Sequence, residues 1–248
     1  MKNVFYILLL ISQVFYAQTG FEEGNNLYQN AKYAEAAKAY ESVLEAKKQS
    51  AELYFNLGNC YYKLHQTAPA IYNYEKALVL DPTNKEALNN IKFAQKQTID
   101  EIKVVPKVGF AKLLRDFTGI YPFETWAWIS IGLAFLFLSF FVAYYFYQTV
   151  TIKRIFFFGM FVILLLLVMS ISAAFFEKSH FDNERPAIVF AESADVRSEP
   201  QNASAAIFVL HPGTKVYVFE TVGNWKKIEL TDGTEGWIDK QAIKEVKD

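Results

Sequence analysis

The chain has 248 residues, 25 Lys+Arg against 26 Asp+Glu, a formal net charge of −1 and one cysteine. That balance excludes a dominant nucleic-acid footprint, and one cysteine excludes an internal disulfide framework or a cysteine-built zinc cluster. The chain is 52% apolar yet 21% charged, and the two classes are segregated: the 52 residues from Thr125 to Phe176 carry only two charges, Lys153 and Arg154.

Residues 1–17 read as an export signal. Lys2 gives the positive start, Val4 to Tyr16 is uncharged, and Ala17 is the small residue before a cut. The apolar run is shorter than the ~20 residues of a spanning helix. Phe15 stands where a small residue is preferred, so an uncleaved signal anchor is the alternative; both readings export the chain beyond residue 17.

Residues 18–98 carry an internal repeat. In the 34-residue unit Ala51–Asn84, Tyr54, Leu57, Gly58 and Tyr61 lie at first-helix spacing, Ala70, Tyr74 and Ala77 at second-helix spacing, and Pro82 ends the unit. Small Gly58 and Ala70 let two antiparallel helices approach, and Pro82 stops the second. A shift of −34 finds Gly24, Ala36 and Tyr40, with Val43 and Lys48 replacing Ala77 and Pro82; a shift of +34 leads to Leu88, Ile91 and Ala94 on a capping helix.

The pattern resembles tetratricopeptide repeats, two copies plus a cap. A stack this short needs a further surface, supplied by a partner, a second copy or its own chain. The resemblance implies a concave peptide-binding groove at Phe21, Asn25, Tyr28 and Gln29, then Glu52, Phe55, Asn59, Tyr62 and Lys63. Chaperone-tail-binding members place a lysine where Phe21 and Phe55 stand, so a carboxylate clamp is not expected here. An aromatic and amide groove suits an extended or helical peptide. Asn56, Asn59 and Tyr62 are also frequent in such repeats whatever they bind. Cys60 reads as a small buried residue, and His65 as the turn between helices, where its type tolerates left-handed backbone.

Residues 99–124 form a linker. Val104, Val105 and Pro106 break helix; Phe110, Leu113, Leu114 and Phe117 then mark one face, opposite Lys112, Arg115 and Asp116. This predicts an amphipathic helix lying on membrane lipid or, alternatively, against the repeats. Two apolar stretches come next, 125–147 and 155–176, each long enough to cross a ~30 Å hydrocarbon core. Trp126, Trp128, Tyr144, Tyr145 and Tyr147 stand at interfacial positions. The connecting loop 148–154 holds Lys153 and Arg154, so the positive-inside rule puts it in the cytoplasm and both soluble parts in the periplasm of a bacterial inner membrane. Neither span holds an ionisable residue, which argues for an anchor rather than a transporter. Gly132, Ser139, Gly159 and Ser170 are small enough for helix–helix contact.

After a linker at 177–186, residues 187–248 change period. Alternating runs are broken at Pro212-Gly213, Gly223-Asn224 and Asp232-Gly233, which predicts a small antiparallel barrel. The strings Asp195-Val196-Arg197-Ser198-Glu199-Pro200, Pro212-Gly213-Thr214-Lys215-Val216, Asn224-Trp225 and Gly236-Trp237-Ile238 resemble bacterial SH3-like domains, with Glu199 where the family usually has Gly. The resemblance implies binding of cell-wall peptide or protein, with Trp225 and Trp237 as contact rings; the same rings could instead fill a small core. Residues 177–248 hold 13 acids and 9 bases, which disfavours anionic polymers.

The fold class is thus a multi-domain membrane protein: an all-α repeat, a two-helix transmembrane hairpin and a small all-β barrel. This order resembles the BatE-type proteins of the Bacteroidetes aerotolerance (Bat) group. The resemblance implies a non-enzymatic scaffold in a complex with other Bat proteins, linked to oxygen or stress tolerance. A cell-wall sensor or adaptor that binds peptidoglycan is the second reading. No cofactor, metal or catalytic residue is expected: His65, His180 and His211 have neither nucleophile–base nor metal spacing, and no Gly-rich phosphate loop is present.

Overall fold

The computed structural model describes residues 20–102 and 109–247. The expected signal segment and the helix break at Val104–Pro106 lie outside the described residues. The chain divides into two compact units, Met1–Val105 with Arg185–Asp248, and Pro106–Glu184.

Among the described residues the first unit begins with five helices: α1 (residues 20–29), α2 (Tyr33–Glu45), α3 (Ala51–Lys63), α4 (Thr67–Leu80) and α5 (Lys85–Gln95). Ser50 caps α3 by accepting from the Leu53 N–H at 3.1 Å, and Asn84 caps α5 by accepting from the Ala87 N–H at 2.9 Å. The first three helices end on a left-handed residue: Ala31, Lys47 and His65, with φ of 58–59°. At His65 the paired closing bonds are His65 N–H to Tyr62 O and Gln66 N–H to Tyr61 O. Gly58 is required by packing: a Cβ there would lie 2.7 Å from the Tyr74 ring, and Gly24 meets Tyr40 in the same way. Tyr40, Tyr74, Leu53, Leu57 and Cys60 are buried in this stack. Burial pushes the Cys60 thiol up to about 12, leaving it an inert packing group.

The same unit holds a seven-stranded antiparallel sheet: β1 (Pro186–Val189), β2 (Ala194–Arg197), β3 (Ala206–Leu210), β4 (Lys215–Val222), β5 (Trp225–Glu229), β6 (Glu235–Asp239) and β7 (Ile243–Glu245), in the order β3-β2-β6-β5-β4-β1-β7. Its core is Ala187, Val189, Val196, Val216, Ile228 and Ile238 with their neighbours. Alternation in β5 turns Lys226 inward and Lys227 outward. Lys226 is buried because Glu245 accepts from its ammonium at 2.5 Å and from Arg185 at 3.0 Å. Burial pushes the Glu245 carboxyl up, but the two cations outweigh it and hold it below the ordinary range.

The repeat helices and the sheet share one core. Ala68, Ile71 and Tyr74 of α4, with Ile91 and Ala94 of α5, pack against Ile188 and Val246. The short stack therefore leans on its own chain. On the capping helix Ile91 and Ala94 of the expected apolar stripe are buried in this cluster, while Leu88 is 39% exposed.

The second unit contains α6 (Phe110–Thr118), α7 (Phe123–Phe146) and α8 (Val150–Asn183). The last two are long and apolar enough to cross a membrane. They pair as a hairpin: Phe140 lies over Gly159, and the Ser130 and Ser170 hydroxyls meet at 2.9 Å. Gly132 and Ser139 stay outside this contact. Trp126 lies in the first turn of α7. It is buried, donates from Nε1 to Thr118 O at 2.8 Å, and packs on Phe117 and Tyr121, whereas Trp128 is 72% exposed. Phe110, Leu113 and Phe117 leave an exposed apolar face on α6.

Helix α8 is longer than the apolar stretch 155–176. It starts at Val150, so Lys153 and Arg154 fall in its opening turns and only residues 147–149 join the helices. It also runs through most of the linker expected at 177–186, leaving Glu184 and Arg185 before β1. The Lys178–Asp182 pair at 3.2 Å, one turn apart, supports the polar extension.

Candidate interaction surfaces

The residues expected to line a groove are organised by the 34-residue period. Asn25 Oδ1 accepts from the Tyr40 hydroxyl at 2.6 Å and from Asn56 Nδ2 at 3.1 Å. One period on, Asn59 Oδ1 accepts from Tyr74 and Asn90, both at 2.8 Å. Phe21 and Phe55 repeat too, half-buried against Tyr40 (5.7 Å between centroids) and Tyr74 (6.0 Å). Each asparagine thus ties three helices together through one oxygen. Tyr28 and Tyr62 are half-buried, while Gln29, Glu52 and Lys63 are exposed.

A third rung lies in α5, beyond the groove positions expected from the two copies. Phe93 stands one period after Asn59 and is 54% exposed; Lys96, one period after Tyr62, places its ammonium 5.4 Å from the Phe93 ring centroid. The signal was available, since shifting the groove positions by 34 finds both.

The seam between repeats and sheet is built from residues of neither expected site. Asp100 accepts from His211 N–H at 2.7 Å, His211 Nδ1 at 2.7 Å and Thr214 Oγ1 at 2.6 Å. Burial pushes its carboxyl up, but these donors outweigh burial and hold it below the usual range. Lys215 reaches Glu75 at 2.7 Å, and Tyr72 meets Phe190 edge-on at 5.6 Å. Gly213, at φ +93°, fits between Thr98 and Thr67, where a Cβ would come within 2.9 and 3.1 Å of their methyls. Beside the seam lies a cleft of about 370 Å³ lined by Tyr54, Tyr61, Tyr72, Lys76, Phe190 and Lys244, among others.

Trp225 and Trp237 lie outside the sheet's buried core. Both are half-buried on its outer face, with Trp225 opposite Val222 and Asp239, and Trp237 opposite Lys227 and Arg197.

With this geometry in hand, two family matches can be placed. Residues 51–84 match the tetratricopeptide repeat, the segment of α3 and α4. Residues 192–244 match the bacterial SH3 domain, the segment of β2 to β7. Among curated proteins the chain is similar to sperm-associated antigen 1 of Rattus norvegicus, 35% identical over 75 residues, 30% of this chain and 8% of that protein. It is also similar to Hsp70-Hsp90 organizing protein 1 of Glycine max, 37% identical over 62 residues, 25% of this chain and 11% of that protein. The chain spans about a tenth of the length of these relatives. Tetratricopeptide and bacterial SH3 modules are typically non-catalytic. Together they indicate a protein-interaction or peptidoglycan-binding adaptor.

Proposed function

We propose that the protein is a membrane-anchored interaction scaffold. Its repeats and SH3-like domain stand together in the periplasm, held by two transmembrane helices, with Lys153 and Arg154 at the cytoplasmic turn. The observation that carries this reading is the shared core of repeats and sheet. Two crossings return the chain to the side it left, and domains that pack together must lie on one side. The positive-inside rule supports the choice of side.

The partner groove is Phe21, Asn25, Tyr28, Glu52, Phe55, Asn59, Tyr62 and Lys63, continued by Phe93. Its rings and amides suit a peptide of a neighbouring protein. The resemblance to BatE-type proteins supports membership of a Bat-type complex with a role in oxygen or stress tolerance. A photo-crosslinking residue at Phe55 or Tyr62, followed by mass spectrometry of membranes, tests this. One recurrent membrane or periplasmic partner is expected; crosslinks to lipid alone or to no protein would overturn it. Cell-wall binding through Trp225 and Trp237 is the second reading, favoured by their position outside the core.

A further inference from the structure

The outer face of β4, β5 and β6 combines half-buried rings with an excess of negative charge. Strand alternation turns Trp225, Lys227 and Glu229 of β5 to one side, with Glu235, Trp237 and Asp239 of β6 beside them. Val222 and Glu220 extend this face onto β4, opposite Trp225 and Lys227. The repeats cover the β1 end of the sheet, where Ile188 is buried, and leave this part open, with Val222 43% exposed.

The bases on the face are already engaged, Lys215 of β4 by Glu75. Lys227 pairs with Glu235 at 2.6 Å. Arg197 pairs with Asp195 at 3.1 Å and donates to Asn202 O and Ser204 O, which holds the 198–205 loop. Glu220 and Glu229 both face the same Lys227 ammonium, which Glu235 holds in its ion pair. Two tryptophans thus lie in a field that attracts cations. An indole face takes an ammonium or guanidinium better than a phenol or phenyl ring does, and charge complementarity selects the partner.

We infer that this face docks a basic, extended segment of a partner protein, with Lys or Arg side chains over Trp225 and Trp237 and opposite Glu220 and Glu229. The inference rests on the reading of the SH3-like domain as an interaction module. It sets that module against cell-wall stem peptides, whose own carboxylates would meet Glu220 and Glu229 as like charges.

The test uses the full chain in nanodiscs and three probes: a labelled Lys/Gly peptide, a Glu/Gly peptide of equal length, and a soluble muropeptide digest. The Lys/Gly peptide is expected to bind, to change tryptophan fluorescence and to weaken as salt rises. The double variant Glu220→Gln with Glu229→Gln is expected to bind it about tenfold more weakly, two exposed pairs being lost. Glu192→Gln, on the β1–β2 connection, should leave binding unchanged. Unaltered circular dichroism separates lost contact from lost fold. Equal binding of the double variant, or preference for the Glu/Gly peptide, overturns the proposal. Preference for muropeptides overturns it while leaving the module reading intact. Silence of the tryptophan signal with all three probes overturns both.

Discussion

The two second helices of the repeats, α2 and α4, occupy equivalent places and differ on one face. Ala37 and Lys38 of α2 correspond to Ile71 and Tyr72 of α4, one period on. Lys38 faces solvent, whereas Ile71 is fully buried and Tyr72 meets Phe190. Glu41 and Glu75 are identical by type, yet Glu75 is engaged by Lys215 and Glu41 accepts a hydrogen bond from Tyr61. The features that the period preserves build the stack; the second domain docks mainly where the copies diverge and recruits the preserved Glu75 as well.

Replacing Ile71 by a small residue like that of the first copy attacks that divergence most strongly. Ile71→Ala removes buried methyl groups from the shared core and should cost about 2–5 kcal/mol. Hydrogen exchange on the full chain should then show β1 and β7 amides opening along with α4. Opening confined to α4 would mean that the sheet does not depend on the repeats.

The groove rung makes the opposite case, because both copies keep it. Asn59→Ala would leave the buried Tyr74 hydroxyl and the Asn90 amide without their acceptor, at about 1–3 kcal/mol. Asn25→Ala should cost a similar amount through Tyr40 and Asn56. A denaturation midpoint that falls for only one variant would show that the rungs are not equivalent.

The repeat period made the stack and the glycine contacts readable, since each rests on spacing along one helix pair. The two apolar helices were readable from charge depletion, and the sheet from alternation and turns. The seam was not, because its partners are remote. Asp100 precedes His211 by 111 residues, with the whole hairpin between them. Nothing local marks a carboxylate that will accept three hydrogen bonds. Trp126 was readable as a ring at the start of the span, but not its indole N–H bond to Thr118 O, made through the turn after α6. The length of α8 escaped because hydropathy ends at Phe176, while backbone hydrogen bonding continues through the polar residues to Asn183.

The Asp100 clasp is weaker than the Ile71 contact and depends on pH. Asp100→Asn keeps the shape and loses the charge, at roughly 1–2 kcal/mol. The folded pKa lies below its ordinary value of 3.8. Its contribution is therefore complete above that value and is lost as pH falls through the lower folded one. The stability gap between wild type and Asp100→Asn should persist near neutrality and close in acid. A gap that widens in acid would assign the dependence to other groups.

The smallest expected effect tests the comparison most directly. Tyr72→Lys gives α4 the residue of α2 and removes the edge contact with Phe190, worth about 0.5–1.5 kcal/mol. Lys38→Tyr makes the reciprocal change on α2, where the side chain is exposed. If docking explains the divergence, the first change destabilises the chain and the second leaves the denaturation midpoint where it was. Equal losses from both would mean that each helix simply prefers its own residue, and the seam would not be the reason the copies differ.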